Sequence, residues 1–100
     1  MTHHLKTWPT YYDAVERGEK TFEGRRNDRN FQSGDIVVLC RTVVDGSGEC
    51  KTAAPTLTRR IGFVLHGGQF GIAEGWCVFS LLDEGAPGDP AQAGSGKGAA

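Results

Sequence analysis

The sequence has 100 residues, a formal net charge of -1 and 38% hydrophobic residues, which is typical of an ordinary globular protein. The near-neutral charge excludes a protein that holds nucleic acid by bulk electrostatic attraction, since that mode needs many unopposed Lys and Arg side chains. No apolar run approaches the roughly 18 residues that span a bilayer, so we expect a cytoplasmic protein with no membrane partner.

Two parts of the chain differ in composition. Residues 1–84 contain the apolar side chains for one core and are predicted to form a single domain. Residues 85–100 are almost wholly Gly, Ala, Pro, Ser, Gln and Asp. Such a segment buries too little apolar surface to offset the entropy lost on ordering, so it is predicted to be a disordered tail.

The first element with a recognisable start and stop is a helix from Pro9 to Arg17. Thr7 suits its N-cap, and proline is tolerated in a first helical turn because its missing N–H has no partner there. Gly18 suits the left-handed position that follows the last turn. The sequence therefore predicts one short helix near the start of the chain.

The aromatic residues of this helix divide into two sets. Trp8, Tyr12 and Val15 share one helical face and are predicted to pack in the core. Tyr11 lies about 100° further round the helix, so it is predicted to face a ligand.

After the helix the pattern changes to a period of two. Thr21, Glu23 and Arg25 fall on one face of a predicted strand, and Phe22 falls on the other. We therefore expect a polar row opposite a buried Phe22. The following run, residues 26–30, is dense in turn-forming residues and is predicted to be a loop.

Three further strands are predicted. Ile36–Thr42 is rich in β-branched residues, Thr56–His66 is long with a bulge near Gly62, and Trp76–Leu82 is apolar enough to be central. We expect consecutive, hairpin-connected strands. The predicted fold is mainly β with one or two helices, as a small antiparallel barrel or strongly curved sheet. A helix-first α+β sandwich is the alternative.

The candidate metal ligands form no recognised pattern. Cys40, Cys50 and Cys77 are odd in number and widely spaced, which predicts reduced, structural thiols. His3 and His4 are adjacent, which is a weak signal for a metal site. We therefore expect no structural metal and no cofactor.

Charge is concentrated between Glu16 and Asp35, where five basic and five acidic residues occur. A solvated surface would also produce mixed charge, but Lys20, Glu23 and Arg25 lie on a strand directly after a helix. A Lys and an Arg beside a carboxylate can hold an anion while the carboxylate accepts a hydrogen bond. That combination favours a nucleotide over a bare polyanion.

The same residues resemble a known family, the DUF3850 branch of the ASCH domains, which belong to the PUA-like superfamily. The string from Gly18 to Arg29, together with His3–Lys6 and Gly34–Ile36, carries the resemblance. It implies a small PUA-like β-barrel, frequent in bacteria and phages, that binds RNA or a modified nucleotide beside the helix. By the motif of that family the cleft residues are Lys20, Glu23 and Arg25, with Lys6, Asn27, Asp28 and Arg29 nearby, and Tyr11 completes our predicted ligand-binding set. The family often has a Tyr-Thr-Gly motif where this chain has residues 48–54.

Two alternatives to RNA or nucleotide binding remain open. Some ASCH proteins are amidohydrolases for acylated cytidine that use a Lys, a Thr three residues later and a distant Glu. This chain has Lys20 but Glu23 in the Thr position, so these two are the candidate catalytic residues, with Glu74 as a further partner, and a binding protein is favoured over an enzyme. The other alternative is a phage or mobile-element protein that modulates a host protein partner through exposed Trp8, Tyr11 or Phe70.

Overall fold

The computed structural model of the chain describes residues 1–42 and 54–88. The elements in these ranges are β1 (Thr2–Thr7), α1 (Pro9–Glu16), β2 (Phe22–Arg26), β3 (Ile36–Arg41), β4 (Thr56–His66) and β5 (Trp76–Leu82). The five strands form one sheet in the order β1-β3-β4-β5-β2, curled into a half-barrel. The predicted mainly β, single-domain fold with a short helix is therefore confirmed.

Strand pairing differs from the expectation at both ends of the sheet. β3–β4 and β4–β5 are antiparallel neighbours in the chain, as predicted. β1, however, pairs in parallel with β3, and β2 pairs with β5, the last strand. The prediction of consecutive, hairpin-connected strands is wrong there. A parallel pair needs a crossover connection, and α1 with β2 supplies it between β1 and β3.

β1 is a strand that the sequence analysis does not predict. Its inward residues include His3 and Thr7, which are polar yet only 5% and 2% exposed. The sequence of β1 therefore lacks the alternation of polar and apolar residues by which a strand is recognised. The imidazole of His3 pairs with the Asp35 carboxylate at 2.8 Å and lies edge-on to the Phe31 ring. These partners allow a polar side chain to be buried, because its hydrogen-bonding capacity is satisfied.

The helix begins one residue later than its predicted cap implies. The N-cap is Trp8, with extended backbone, and Thr7 belongs to β1, so the predicted cap is wrong. Because Trp8 precedes the first turn it does not share the buried face and is 55% exposed, whereas Tyr12 and Val15 pack in the core as predicted. Gly18 adopts the left-handed conformation that its position after the helix predicts.

β4 and β5 confirm the prediction of a bulge near Gly62. The register of the two strands shifts between Ile61 and Val64. A side chain at Gly62 would overlap the hydroxyl of Ser80, and that hydroxyl accepts a hydrogen bond of 2.9 Å from the N–H of Phe63. A bulge leaves one backbone group without its ladder partner, and here a serine side chain supplies the partner.

The core lies on the concave side of the sheet. At its centre the rings of Phe31 and Phe79 are 4.9 Å apart. Close-packed apolar side chains of this kind supply most of the free energy of folding. The buried apolar residues are Leu5, Tyr12, Val15, Phe31, Val37, Leu39, Ile61, Val64, Cys77, Phe79 and Leu81.

The cysteines depart in part from the prediction of reduced thiols. Cys77 is a free thiol in the core, and burial raises its pKa to about 11. Cys40 is disulfide-bonded, so the prediction is wrong at that position. Several predictions fall outside the described residues. They concern Cys50, the turn at 45–48, residues 48–53 of the divergent family motif and residues 89–100 of the tail.

Candidate functional site

A cleft of about 400 Å³ lies between β1 and β2, the two edge strands of the half-barrel. Curling brings these edges towards each other, but the backbone ladder ends at each of them. Phe31 of the core also lines the cleft, which therefore reaches the interior of the molecule. Its walls come from Leu5, Lys6, Thr7, Trp8, Tyr11, Glu23, Gly24, Arg25, Arg26, Asp28, Arg29, Phe31 and Trp76.

The structure brings Lys20, Glu23 and Arg25 together beside this cleft. The Lys20 ammonium lies 2.6 Å from one oxygen of the Glu23 carboxylate, and Nε of Arg25 lies 2.6 Å from the other. Glu23 and Arg25 line the cleft, while Lys20 contacts it through the carboxylate. Two cations thus hold one carboxylate in a fixed position, which is the convergence that the sequence pattern predicts.

The two faces of β2 are the reverse of those expected. Glu23 is 5% exposed on the inner side, and Phe22 is 51% exposed, so the predicted burial of Phe22 is wrong. The Phe22 ring packs near the Lys20 ammonium, with 5.1 Å between the nitrogen and the ring centroid. A carboxylate can occupy the inner face because two cations compensate its charge there.

Arginine side chains bridge the gap between the two edge strands. The Arg25 guanidinium donates to the carbonyl of Lys6 at 2.9 Å, and the Arg29 guanidinium donates to the carbonyl of His4 at 2.7 Å. Both carbonyls belong to the edge strand β1, where a neighbouring strand would otherwise supply the donors. Side chains therefore close the barrel where the backbone does not.

Asn27, a predicted ligand-binding residue, shapes the loop after β2. Its side-chain oxygen accepts from the N–H of Phe31 at 3.0 Å, and its own N–H donates to the carbonyl of Gly75 at 2.8 Å. It is not among the described residues that line the cleft. Its place in the structure is that of a loop-forming residue, which holds Asp28 and Arg29 at the cleft wall.

Three exposed aromatic rings surround the cleft. Trp8 and Tyr11 stand on the helix side, and Trp76 stands at the start of β5 with the Arg26 guanidinium 5.1 Å from its ring centroid. The three side chains are between 40% and 55% exposed. Large aromatic faces that remain in contact with solvent at a cleft are suited to stacking on a planar ligand.

The sequence analysis does not identify Trp76 or Thr7 as site residues. The sequence pattern places Trp76 only in a central strand, although its position directly after a glycine at the start of the strand indicates an end of the sheet. It places Thr7 at the helix cap. Its hydroxyl lines the cleft, donates to the carbonyl of Leu5 and accepts from Arg25.

The residues needed for the hydrolase alternative are not all in the cleft. Glu74 is exposed on the loop before β5, and neither it nor Lys20 is among the described lining residues. Within residues 1–42 and 54–88, no three His, Cys, Asp or Glu side chains are grouped so as to hold a metal ion. Among the helices of these ranges, none is long and apolar enough to cross a membrane.

The comparison with protein families gives a match over most of the chain. A family model described as "Domain of unknown function (DUF3850)" matches residues 2–81. The matched range begins at β1 and ends within β5, so it contains every residue that lines the cleft. No curated protein matches the chain. Since the match covers most of the sequence, the chain belongs to the DUF3850 family.

Proposed function

We propose that this chain binds RNA or a nucleotide in the cleft between β1 and β2, as an ASCH-like domain of the PUA-like superfamily. One observation carries the proposal. Glu23, held between Lys20 and Arg25, forms a charged floor in a cleft with exposed aromatic rings. The resemblance of the Gly18–Arg29 string to ASCH domains supports the same class of ligand.

The charge of the cleft favours an anionic ligand. Its walls contain four cationic side chains and two acidic ones, although the whole chain has a net charge of -1. Guanidinium groups present planar forks that match phosphate oxygens. A phosphate at the Arg26 and Arg29 side of the cleft would therefore meet two donors of this kind.

Glu23 distinguishes a nucleotide from a bare polyanion. Each carboxylate oxygen accepts more than one hydrogen bond, so the contacts with Lys20 and Arg25 leave acceptor capacity. An exocyclic amine of a base or a ribose hydroxyl can donate to these oxygens, whereas a phosphodiester has no proton to donate. The cleft thus offers a donor set for phosphate and an acceptor for the rest of the nucleotide.

The aromatic rings supply the third component. A base that stacks on an aromatic side chain contributes about 1–3 kcal/mol to binding, largely independently of its identity. Trp8 and Tyr11 on one side and Trp76 on the other offer such faces. A cleft of about 400 Å³ is in the size range that accommodates one small ligand.

The proposal is tested by changing the walls of the cleft while leaving Glu23 and its cations intact. In titrations with a fluorescent RNA hexamer and with the four nucleoside monophosphates, Trp76→Ala should raise the Kd about five- to 150-fold. Arg26→Gln should weaken RNA binding and lower the dependence of affinity on salt by about one phosphate contact.

Arg17→Gln is the matched control for charge. Arg17 is exposed and pairs with Glu19 outside the cleft, so its loss removes one positive charge without touching the site. Circular dichroism melting curves establish that each variant is folded. The proposal is wrong if no nucleotide binds at millimolar concentration, or if Arg26→Gln and Arg17→Gln bind RNA with the same affinity and the same salt dependence.

A further inference from the structure

Phe70 stands in solvent on the loop that joins β4 to β5. Its side chain is 82% exposed, more than any other aromatic residue in the described ranges. Its backbone has φ = 54°, in the left-handed region that bulky residues rarely adopt. Phe70 and Gly71 both have positive φ, and the N–H of Ile72 donates to the carbonyl of Gln69, so the turn type explains the backbone but not the exposure of the ring.

The loop that presents Phe70 is held by several hydrogen bonds. Gly67 leaves no room for a side chain, because a Cβ there would overlap the carbonyl oxygen of Ala73. The loop is therefore a defined hairpin, and its tip presents Phe70 on the surface. The bonds within the loop are Gly67 N–H to Trp76 O, Gly68 N–H to Ile72 O, Ile72 N–H to Gln69 O and the Gln69 side-chain amide to His66 O.

This loop is continuous with one end of the cleft. It leads directly into Trp76, which lines the cleft, and the carbonyl of Gly75 accepts a hydrogen bond of 2.8 Å from Asn27. β2 ends at Arg26, the register partner of Trp76, so the loops after β2 and before β5 lie at the same end of the sheet. The hairpin that carries Phe70 is thus anchored at the Trp76 end of the cleft.

We propose that the ligand is a single strand of at least two nucleotides, and that Phe70 stacks on the base next to the one in the cleft. This inference rests on the proposed function and narrows its ligand class. A cleft of about 400 Å³ accommodates one nucleotide, so a free monophosphate fills it and leaves Phe70 in solvent. In a strand the neighbouring base leaves the cleft at its Trp76 end and meets the exposed ring. Stacking of that base also shields an apolar face from water.

The experiment compares ligand lengths in two aromatic variants. Phe70→Ala removes the proposed platform, and Phe63→Ala is its matched control, because Phe63 is 46% exposed on β4 and does not line the cleft. Dissociation constants are measured for a random-sequence RNA hexamer pool and for the four nucleoside monophosphates. For the hexamer pool, Phe70→Ala should raise the Kd about five- to 150-fold and Phe63→Ala should leave it unchanged.

For the monophosphates, neither change should alter the Kd. Phe70→Tyr, which preserves the ring, should restore binding to within about twofold of wild type.

The other outcomes overturn the inference in distinguishable ways. If Phe70→Ala leaves hexamer affinity unchanged while Trp76→Ala weakens it, the cleft binds nucleotides and the proposed platform is wrong, which leaves Phe70 for a protein partner. If Phe70→Ala weakens monophosphate binding equally, the ring belongs to the cleft itself. If neither ligand binds the wild-type chain, both proposals fail.

Discussion

The two sides of the half-barrel are closed by different kinds of bonds. From β3 through β4 to β5, backbone hydrogen bonds join the strands, and inward residues such as Val37, Leu39 and Ile61 are fully buried. Between β1 and β2 the bonds come from the guanidinium groups of Arg25 and Arg29. The first side is stabilised by the ladder and the core, and the second by charged side chains.

The two sides therefore contribute to different properties. The ladder side stabilises the fold, and the guanidinium side offers groups that can bind a ligand. Ladder bonds within a buried sheet cannot be exchanged for bonds to a ligand without unfolding a strand. The guanidinium bonds to the carbonyls of Lys6 and His4 are exposed, so water can replace the guanidinium at the carbonyl when that group turns to a phosphate. In this half-barrel β1 and β2 do not pair through their backbones. The polar side chains between them therefore remain available to a ligand while the core stays intact.

The largest effect on stability is expected on the side of the half-barrel that backbone ladders join. Phe79→Ala removes a ring that is 1% exposed and packs against Phe31, and it should lower the free energy of unfolding by about 3–5 kcal/mol in urea titrations. Phe63→Ala, at an exposed position of β4, should change it by less than about 1 kcal/mol. Equal losses in the two variants would contradict the division between the two sides.

The next largest effect is expected at Glu23. Arg25→Ala leaves the Glu23 side chain, which is 6% exposed, with one of its two cationic partners and should cost about 3 kcal/mol. Arg17→Ala, which breaks an exposed pair, is the control and should cost less than about 1 kcal/mol.

A double variant isolates the charge of Glu23. Glu23→Gln in the Arg25→Ala background removes a buried carboxylate that has kept Lys20 but lost Arg25, and it should recover part of the lost stability in the same urea titration. A double variant less stable than Arg25→Ala would show that the carboxylate is not under-compensated. For the same reason, weak ligand binding by Arg25→Ala alone would not distinguish a damaged fold from a lost contact.

A third effect concerns the thiol of Cys77 on β5, in the part of the sheet that backbone ladders join. Burial raises the pKa of Cys77 from 9.0 to about 11, so at pH 8 the native thiol should react with Ellman's reagent about 100-fold more slowly than the unfolded chain. The native state keeps this proton to higher pH than the unfolded state does. The free energy of unfolding should therefore fall as the pH rises from about 9 to about 11.

Cys77→Ala is the control for that pH dependence. Its unfolding free energy should vary less between these pH values, because no thiol at position 77 titrates on unfolding. Rapid modification of Cys77 in the folded wild-type protein would instead place it in contact with solvent and would contradict its burial.

The smallest effect is expected at the pair that ties α1 to β3. The Arg41 guanidinium donates to both carboxylate oxygens of Asp13, at 3.0 and 3.2 Å, and these bonds lower the pKa of Asp13 below 3.8. The stabilisation is present above that ordinary value and is lost as the pH falls through the lowered one. Arg41→Gln should raise the Asp13 pKa in an NMR titration, and an unchanged pKa would show that the pair does not form in solution.

Local patterns predict the parts of this molecule that depend on neighbours in the chain. The bounds of β4 and β5 and the bulge near Gly62 follow from composition and alternation over a few residues. Lys20, Glu23 and Arg25 converge because positions 23 and 25 share a strand face and position 20 lies just before it. Such short-range geometry needs no knowledge of the rest of the fold.

Partners distant in the chain account for what the sequence analysis misses. β1 is hidden because His3 is buried against Asp35, which lies 32 positions away. The faces of β2 are reversed because this strand faces β1 across the cleft, where Arg25 donates to the carbonyl of Lys6, 19 positions away. The rule that apolar residues point inward therefore fails for Phe22. Polar residues inside and aromatic residues outside are expected where a site displaces the usual core pattern.

The contact of Ser80 with Gly62 and Phe63 has a consequence for how this chain can be altered. Its hydroxyl occupies the space above Gly62 and satisfies the N–H of Phe63, so β4 and β5 cannot slide past each other without losing that bond. The register of β4 and β5 is therefore fixed by a contact within the sheet and not by the loop that joins the two strands. A connection of another length or sequence between His66 and Trp76 could be grafted there while the tryptophan kept its place at the cleft.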